Sequence, residues 1–174
     1  MIATKLAGKL NEQIGHEFDA HQQYVAIATY YDAQTMPRMA ALFFNQALEE
    51  RGHAMMLVQY LLDRDETVKI PALSAPKSSW KNIVDPVKAA LEQEKEVSKQ
   101  FDDLTALARK ENDYSTEQFL QWFLKEQVEE VATMSDLLAV VSRSEDNIER
   151  IEDWVAREVS AEEDDPTAPP QAGA

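Results

Sequence analysis

The stretch Asp63–Asn82, DRDETVKIPALSAPKSSWKN, holds Pro71, Pro76 and three serines between two long helix-patterned halves. Its length decides the topology. A helix of about 25 residues is about 38 Å long. Twenty non-helical residues span that distance, since an extended chain covers roughly 3.3 Å per residue. The chain leaving one helix can therefore return to the end where that helix began. A tight turn would instead have placed the next helix antiparallel to the last.

Outward from this stretch the breakers are few. Glycine occurs 4 times in 174 residues, strand-like alternation is missing, and Ala, Leu, Glu, Gln and Lys dominate. Thr35-Met36-Pro37 is a short break, as are Asn112–Ser115 and Arg143–Asp146. Ser115, with Gln118 three residues on, has the pattern of an N-cap in a capping box. The spacing predicts helices α1 (about 4–34), α2 (about 38–63), α3 (about 83–111), α4 (about 116–142) and a short α5 (about 146–159). The fold expected is all-α: a four-helix bundle with one long crossover between α2 and α3 and a short fifth C-terminal helix. From Glu162 the chain turns acidic and then Pro/Ala-rich. A domain over 1–160 and a disordered tail over 161–174 are expected.

Seventeen Lys and Arg stand against 32 Asp and Glu, a net charge of −15. Nucleic acid and anionic lipid are poor partners for such a surface. Cysteine is absent, which excludes disulfides, thiolate metal sites and a Cys nucleophile. Residues 1–15 have no signal-peptide pattern. The longest apolar run, Leu137–Val141, is too short to cross a bilayer. A cytoplasmic location is expected.

Each long helix carries a carboxylate inside its own inward stripe. On α1 the stripe includes Leu6, Leu10, Gln13, Glu17, His21, Tyr24 and Tyr31. On α2 it runs Phe43, Gln46, Glu50, His53, Leu57, Leu61. On α3 it runs Val87, Leu91, Glu94, Val97, Phe101, Leu104, and on α4 Leu120, Phe123, Gln127, Glu130, Met134, Leu137. An uncompensated carboxylate in such a position costs several kcal/mol or stays protonated.

The halves echo each other at an offset of 77. Glu17 maps to Glu94, Glu49 to Glu126, Glu50 to Gln127, His53 to Glu130 and Tyr24 to Phe101. Each half thus has one acid on its first helix and a polar i, i+3 pair on its second. Glu94 and Glu130 stand at similar heights from the α3–α4 turn. Glu17 and Glu50 are offset by roughly 7 Å along their helices. Glu17, Glu50, Glu94 and Glu130 together bring four negative charges, which two divalent cations balance, and His53 adds a nitrogen ligand. Carboxylate with imidazole suits iron or manganese, and bundles of this kind hold dinuclear metal centres on that ligand set. Glu49, Glu126 and Glu129 are candidates for an outer metal site. Two rival readings remain: a dinuclear oxidase acting on a small molecule without storage, and a metal-free acidic adaptor.

Glu17, Tyr24, the run Glu49-Glu50-Arg51-Gly52-His53, Glu94 and the run Glu126-Gln127-Val128-Glu129-Glu130 resemble the ferroxidase centre of bacterial non-haem ferritins, over roughly residues 5–159. The resemblance implies a ferritin-like bundle and a homo-oligomeric cage of twenty-four subunits. It implies oxidation of Fe(II) by dioxygen and storage of ferric oxyhydroxide inside. By the same resemblance, Glu17, Glu50 and His53 hold the first iron; Glu50, Glu94 and Glu130 hold the second; and Glu49, Glu126, Glu129 and Glu130 form a third site. Gln127 and Tyr24 stand beside the centre, and α5 lines a fourfold channel. Bacterioferritins have Met where Arg51 stands and a second Glu-x-x-His where Gln127 and Glu130 stand, so no haem is expected.

Overall fold

The computed structural model describes residues 2–159 and 165–173. It contains α1 (Thr4–Ala33), α2 (Pro37–Asp63), α3 (Asp85–Lys110), α4 (Tyr114–Arg143) and α5 (Ile148–Glu158), with no strand among the described residues. All five lie within a few residues of the expected ranges. α1 packs along α2 and α3 along α4, and residues 64–84 cross between the pairs. No described helix is long and apolar enough to cross a membrane.

Three helices stop in the same way. Thr35, Asp65 and Asn112 follow α1, α2 and α3 with φ of 59°, 56° and 56°. Behind each left-handed residue the next amide reaches back five residues: Met36 N to Tyr31 O, Glu66 N to Leu61 O, and Asp113 N to Ala108 O. This closing pattern satisfies helix-end carbonyls and reverses the chain. The start of α4 differs from expectation. Asp113, not Ser115, is the N-cap, because its carboxylate accepts from Thr116 N at 3.0 Å and the helix begins one residue before Ser115.

The crossover is fastened along α1 by three residues on one stripe, spaced eight and four apart. Asn11 Oδ1 accepts from Lys69 N at 2.5 Å, Asp19 Oδ1 from Ser74 N at 2.7 Å, and Gln23 Oε1 from Lys77 N at 2.9 Å. Gly15, between Asn11 and Asp19 on that stripe, leaves room for the Pro71 ring. The segment thus runs parallel to α1 and delivers α3 to the end where α2 began.

α5 docks through charge as well as packing. The Glu152 carboxylate accepts from Arg38 N and Met39 N, both at 2.9 Å, and so caps the free amides at the start of α2. Ile151 and Val155 enter the core beneath it.

The expected tail is described in part. Residues 160–164, including Glu162 and Glu163, lie outside the described residues. Residues 165–173 pack on the bundle rather than standing free. Asp165 Oδ2 accepts from Trp122 Nε1 at 3.1 Å, Ala172 N donates to Met55 O at 3.1 Å, and Ala168 and Ala172 rest on the core. Small apolar side chains and one well-placed carboxylate supply partners that composition alone does not reveal.

Buried apolar side chains form two clusters. One holds Tyr24, Tyr31, Phe43, Val87, Met134 and Leu137; the other holds Leu6, Leu10, Leu57, Phe101, Leu120 and Phe123. The inward glutamates lie on the helices between the residues of these two clusters.

Candidate metal centre

Glu17 and Glu94 are fully buried, Glu50 is 1 % exposed, and His53 and Glu130 are each 4 % exposed. The four-residue periodicity of each stripe carries its polar members into the bundle along with their apolar neighbours. Two groups of ligand atoms come together, each within 4.8 Å: Glu17, Glu50 and His53, and His53, Glu126 and Glu130. His53 belongs to both. Its Nδ1 lies 3.3 Å from Glu50 Oε2 and 3.6 Å from Glu17 Oε2. The roughly 7 Å offset expected between Glu17 and Glu50 does not keep them apart: their ligand atoms and that of His53 lie within 4.8 Å of one another.

Tyr24 connects the remaining acids. Its hydroxyl donates to Glu94 Oε1. Burial, and the charges of Glu94, Glu50 and Glu130, push its pKa well above the usual value. All three carboxylates therefore act on one phenol, which stays protonated as a donor. Gln127 is buried on α4; its Oε1 lies 3.0 Å from Ser98 Oγ, and its Nε2 has no hydrogen-bond partner. The set Glu50, Glu94 and Glu130 does not form a third group as tight as the two above among the described residues.

The outer acids are placed differently from one another. Glu126 is buried and joins His53 and Glu130. Glu49 is half-buried and accepts from Gln46 Nε2. Glu129 is exposed, 3.8 Å from Lys125 Nζ. Three neighbours carry no role in the sequence reading. Trp122 and Phe123 meet the His53 ring edge-on at 5.5 and 5.8 Å, and Gln13 donates to Glu17 at 2.7 Å. Gln13 sits on the inward stripe, which was its only sequence signal.

The electrostatics favour a cation. Burial pushes Glu94 up to about 7, although Tyr24 draws it down. Burial, together with the charge of Glu94, raises Glu50 well above the carboxylate range. Burial alone would lower His53, but the carboxylates of Glu50 and Glu17 beside its Nδ1 outweigh it and the pKa rises. Glu17 Oε2, Glu50 Oε1 and Glu94 Oε2 are buried with no hydrogen-bond partner. Buried carboxylate oxygens are ordinarily satisfied. Three such oxygens from three helices, together with the His53 imidazole, form a set of hard oxygen and nitrogen donors that fits first-row divalent metals.

The ferritin-like domain profile matches residues 7–144. Ferritin BfrB of Mycolicibacterium smegmatis is 51% identical over 172 residues, covering 99% of this chain and 95% of that one. The protein named bacterioferritin BfrB in Mycobacterium tuberculosis is 48% identical, covering 98% and 94%. The bacterial non-haem ferritin of Staphylococcus aureus is 38% identical over 147 residues, covering 84% and 89%. Among solved structures, an engineered closed form of the Archaeoglobus fulgidus ferritin matches with a TM-score of 0.86 and 28% identity, covering 90% of this chain and 98% of that one. Matched in sequence and in fold over most of its length, the chain belongs to the ferritin family of iron-storage proteins.

Proposed function

We propose that this protein is a haem-free bacterial ferritin that oxidises Fe(II) with dioxygen inside each subunit. It stores the ferric product in a hollow cytoplasmic shell of twenty-four copies. The observation that carries the reading is the set of buried carboxylate oxygens without hydrogen-bond partners on Glu17, Glu50 and Glu94, with His53 lying against Glu17 and Glu50. Iron is the substrate. Glu17, Glu50 and His53 bind the first Fe(II), and Glu50, Glu94 and Glu130 bind the second, with Glu50 shared. The two Fe(II) ions would together give two electrons to dioxygen, which takes up two protons and leaves as hydrogen peroxide. The carboxylates compensate the added positive charge and keep the metals close. Hydrolysis of Fe(III) then releases protons and the product moves on to the mineral.

Glu126 and Glu130, with His53 beside them, favour a third iron position next to the pair. Glu49 and Glu129 are its further candidate ligands. Arg51, exposed on α2, offers no thioether for haem. A net charge of −15 concentrates cations near the surface. Exposed Phe44 and Leu48 on α2, with Ile70 and Leu73 on the crossover, supply apolar surface for subunit contacts.

Metal-free protein mixed with Fe(II) in air tests the reading. The natural chain is expected to develop ferric absorbance rapidly and to run as a particle near half a megadalton. Glu94→Ala is expected to keep the particle and lose the rapid phase. Fast oxidation retained in Glu94→Ala overturns the assignment of the centre. A monomer or dimer that oxidises iron without holding it overturns storage.

A further inference from the structure

Gln13 lies on α1 one turn before Glu17 and is 2 % exposed. Its Nε2 donates to Glu17 Oε1 at 2.7 Å and to Gln100 Oε1 on α3 at 3.0 Å. An amide nitrogen carries two hydrogens, and these two bonds use both. Turned over, the amide would set its oxygen against the carboxylate, acceptor against acceptor. The network therefore fixes its orientation. The other oxygen of Glu17, Oε2, has no hydrogen-bond partner and faces His53 Nδ1 at 3.6 Å. The two oxygens of one carboxylate are thus divided: one is held by an amide, the other is turned toward the centre.

We propose that Gln13 is a positioning residue that holds Glu17 so that it offers the first iron a single oxygen, Oε2. The assignment rests on the iron-oxidising reading above. A glutamate has three side-chain torsions, and an unbraced one must be ordered when the metal arrives. Bracing it beforehand removes that cost from binding. The brace is neutral, which matters. A Lys or Arg at position 13 would also hold the carboxylate, but would cancel the charge that attracts the cation. The bond to Gln100 ties the brace to α3, so the ligand on α1 is aligned with the helix that carries Glu94.

The assembled, metal-free protein titrated with Co(II) tests this, because Co(II) reports its coordination number in its visible bands. Gln13→Leu is expected to weaken the first-bound Co(II) about tenfold, the range for a hydrogen bond to a charged group. Its visible bands are expected to lose intensity as the freed carboxylate turns to offer both oxygens and the coordination number rises. In Fe(II) oxidation, KM is expected to rise more than kcat falls. Gln100→Leu, which leaves the Gln13–Glu17 bond in place, is expected to change affinity less than Gln13→Leu. Should Gln13→Leu fail to fold, Gln13→Met, unbranched and of similar length, carries the same test. Natural affinity and natural bands in the Gln13 variant overturn the brace. Weakened binding with unchanged bands overturns the single-oxygen assignment. No Co(II) bound by the natural chain overturns the metal centre itself, which separates that failure from the other two.

Discussion

The Tyr24 hydroxyl on α1 donates to Glu94 Oε1 on α3, while Glu94 Oε2 is buried with no hydrogen-bond partner. Like Glu17, Glu94 has one oxygen held and one turned inward. Tyr24→Phe removes the donor and keeps the ring stacked on Phe43 at 5.7 Å. Loss of a hydrogen bond to a charged group predicts a tenfold or greater weakening of the second metal, of order 1.5–3 kcal/mol. Zn(II) titration calorimetry is the check, with the first metal expected to bind nearly as before. Equal loss at both positions would mean that the phenol supports the centre as a whole rather than Glu94.

The raised carboxyl and imidazole groups predict how the metal-free protein responds to pH. Burial raises Glu94 from an ordinary 4.5 to about 7 and Glu50 well above its usual value, and the neighbouring carboxylates raise His53 against the opposing effect of its burial. Each folded pKa exceeds its unfolded one, so between about pH 5 and 8 the folded state holds more protons than the unfolded state. Stability therefore falls as pH rises across that window. For Glu94 alone the shift corresponds to on the order of 3 kcal/mol. Metal binding displaces the same protons, so affinity rises with pH and protons are released. Scanning calorimetry of the metal-free protein is expected to give a lower Tm at pH 8 than at pH 5.5. Zn(II) should raise Tm more at the higher pH. A metal-free Tm that climbs with pH would contradict the shifts.

Neutralising one central acid should separate stability from function. Glu94→Gln keeps the shape and leaves an amide oxygen to accept from Tyr24. It also removes a buried charge that, without a metal, is uncompensated. The variant is expected to raise the Tm of the metal-free protein at pH 8, where a gain of roughly 1–3 kcal/mol is in range. It should lose most of the Tm increase that Zn(II) gives the natural chain. A lower Tm in both states would place the worth of Glu94 in packing rather than in metal binding.

The four long helices and their inward acids were legible because breaks and periodicity are local signals. Pro37, Asn112 and the Pro-rich crossover stop helices wherever they fall, and a carboxylate at a stripe position is buried whatever its partner. Glu129 was less legible. At 100° per residue it lies about 120° around α4 from Phe123, and its spacing of three from Glu126 hides that it faces Lys125 and solvent. The N-cap of α4 was misplaced because Asp113 and Ser115 are both competent caps, and only backbone direction separates them. The path of the crossover was hidden for a third reason. Asn11, Asp19 and Gln23 form a polar stripe on α1 that reads as a solvated face until a chain is laid along it.

That stripe yields a prediction from two glycines of one helix. Gly8 and Gly15 both lie in α1, where Ala is the better helix former by about 1 kcal/mol. A Cβ at Gly8 meets nothing within 4 Å, whereas one at Gly15 falls 2.5 Å from Pro71 Cγ. The Pro71 ring is closed onto its own backbone nitrogen and can do no more than repucker, so the rest of the room comes by lifting the crossover from α1. That movement pulls on the bonds from Asn11 to Lys69 and from Asp19 to Ser74 on either side. Gly8→Ala is therefore expected to stabilise the chain by up to about 1 kcal/mol. Gly15→Ala is expected to destabilise it by about 1–3 kcal/mol, the range for overpacking a close contact. Paired denaturant unfolding of the two variants at fixed protein concentration is the check. Amide hydrogen exchange at Lys69 and Ser74 should quicken only in Gly15→Ala. Equal stabilisation by both substitutions would mean that the crossover is held loosely enough to yield, and that its alignment along α1 does not fix where α3 begins.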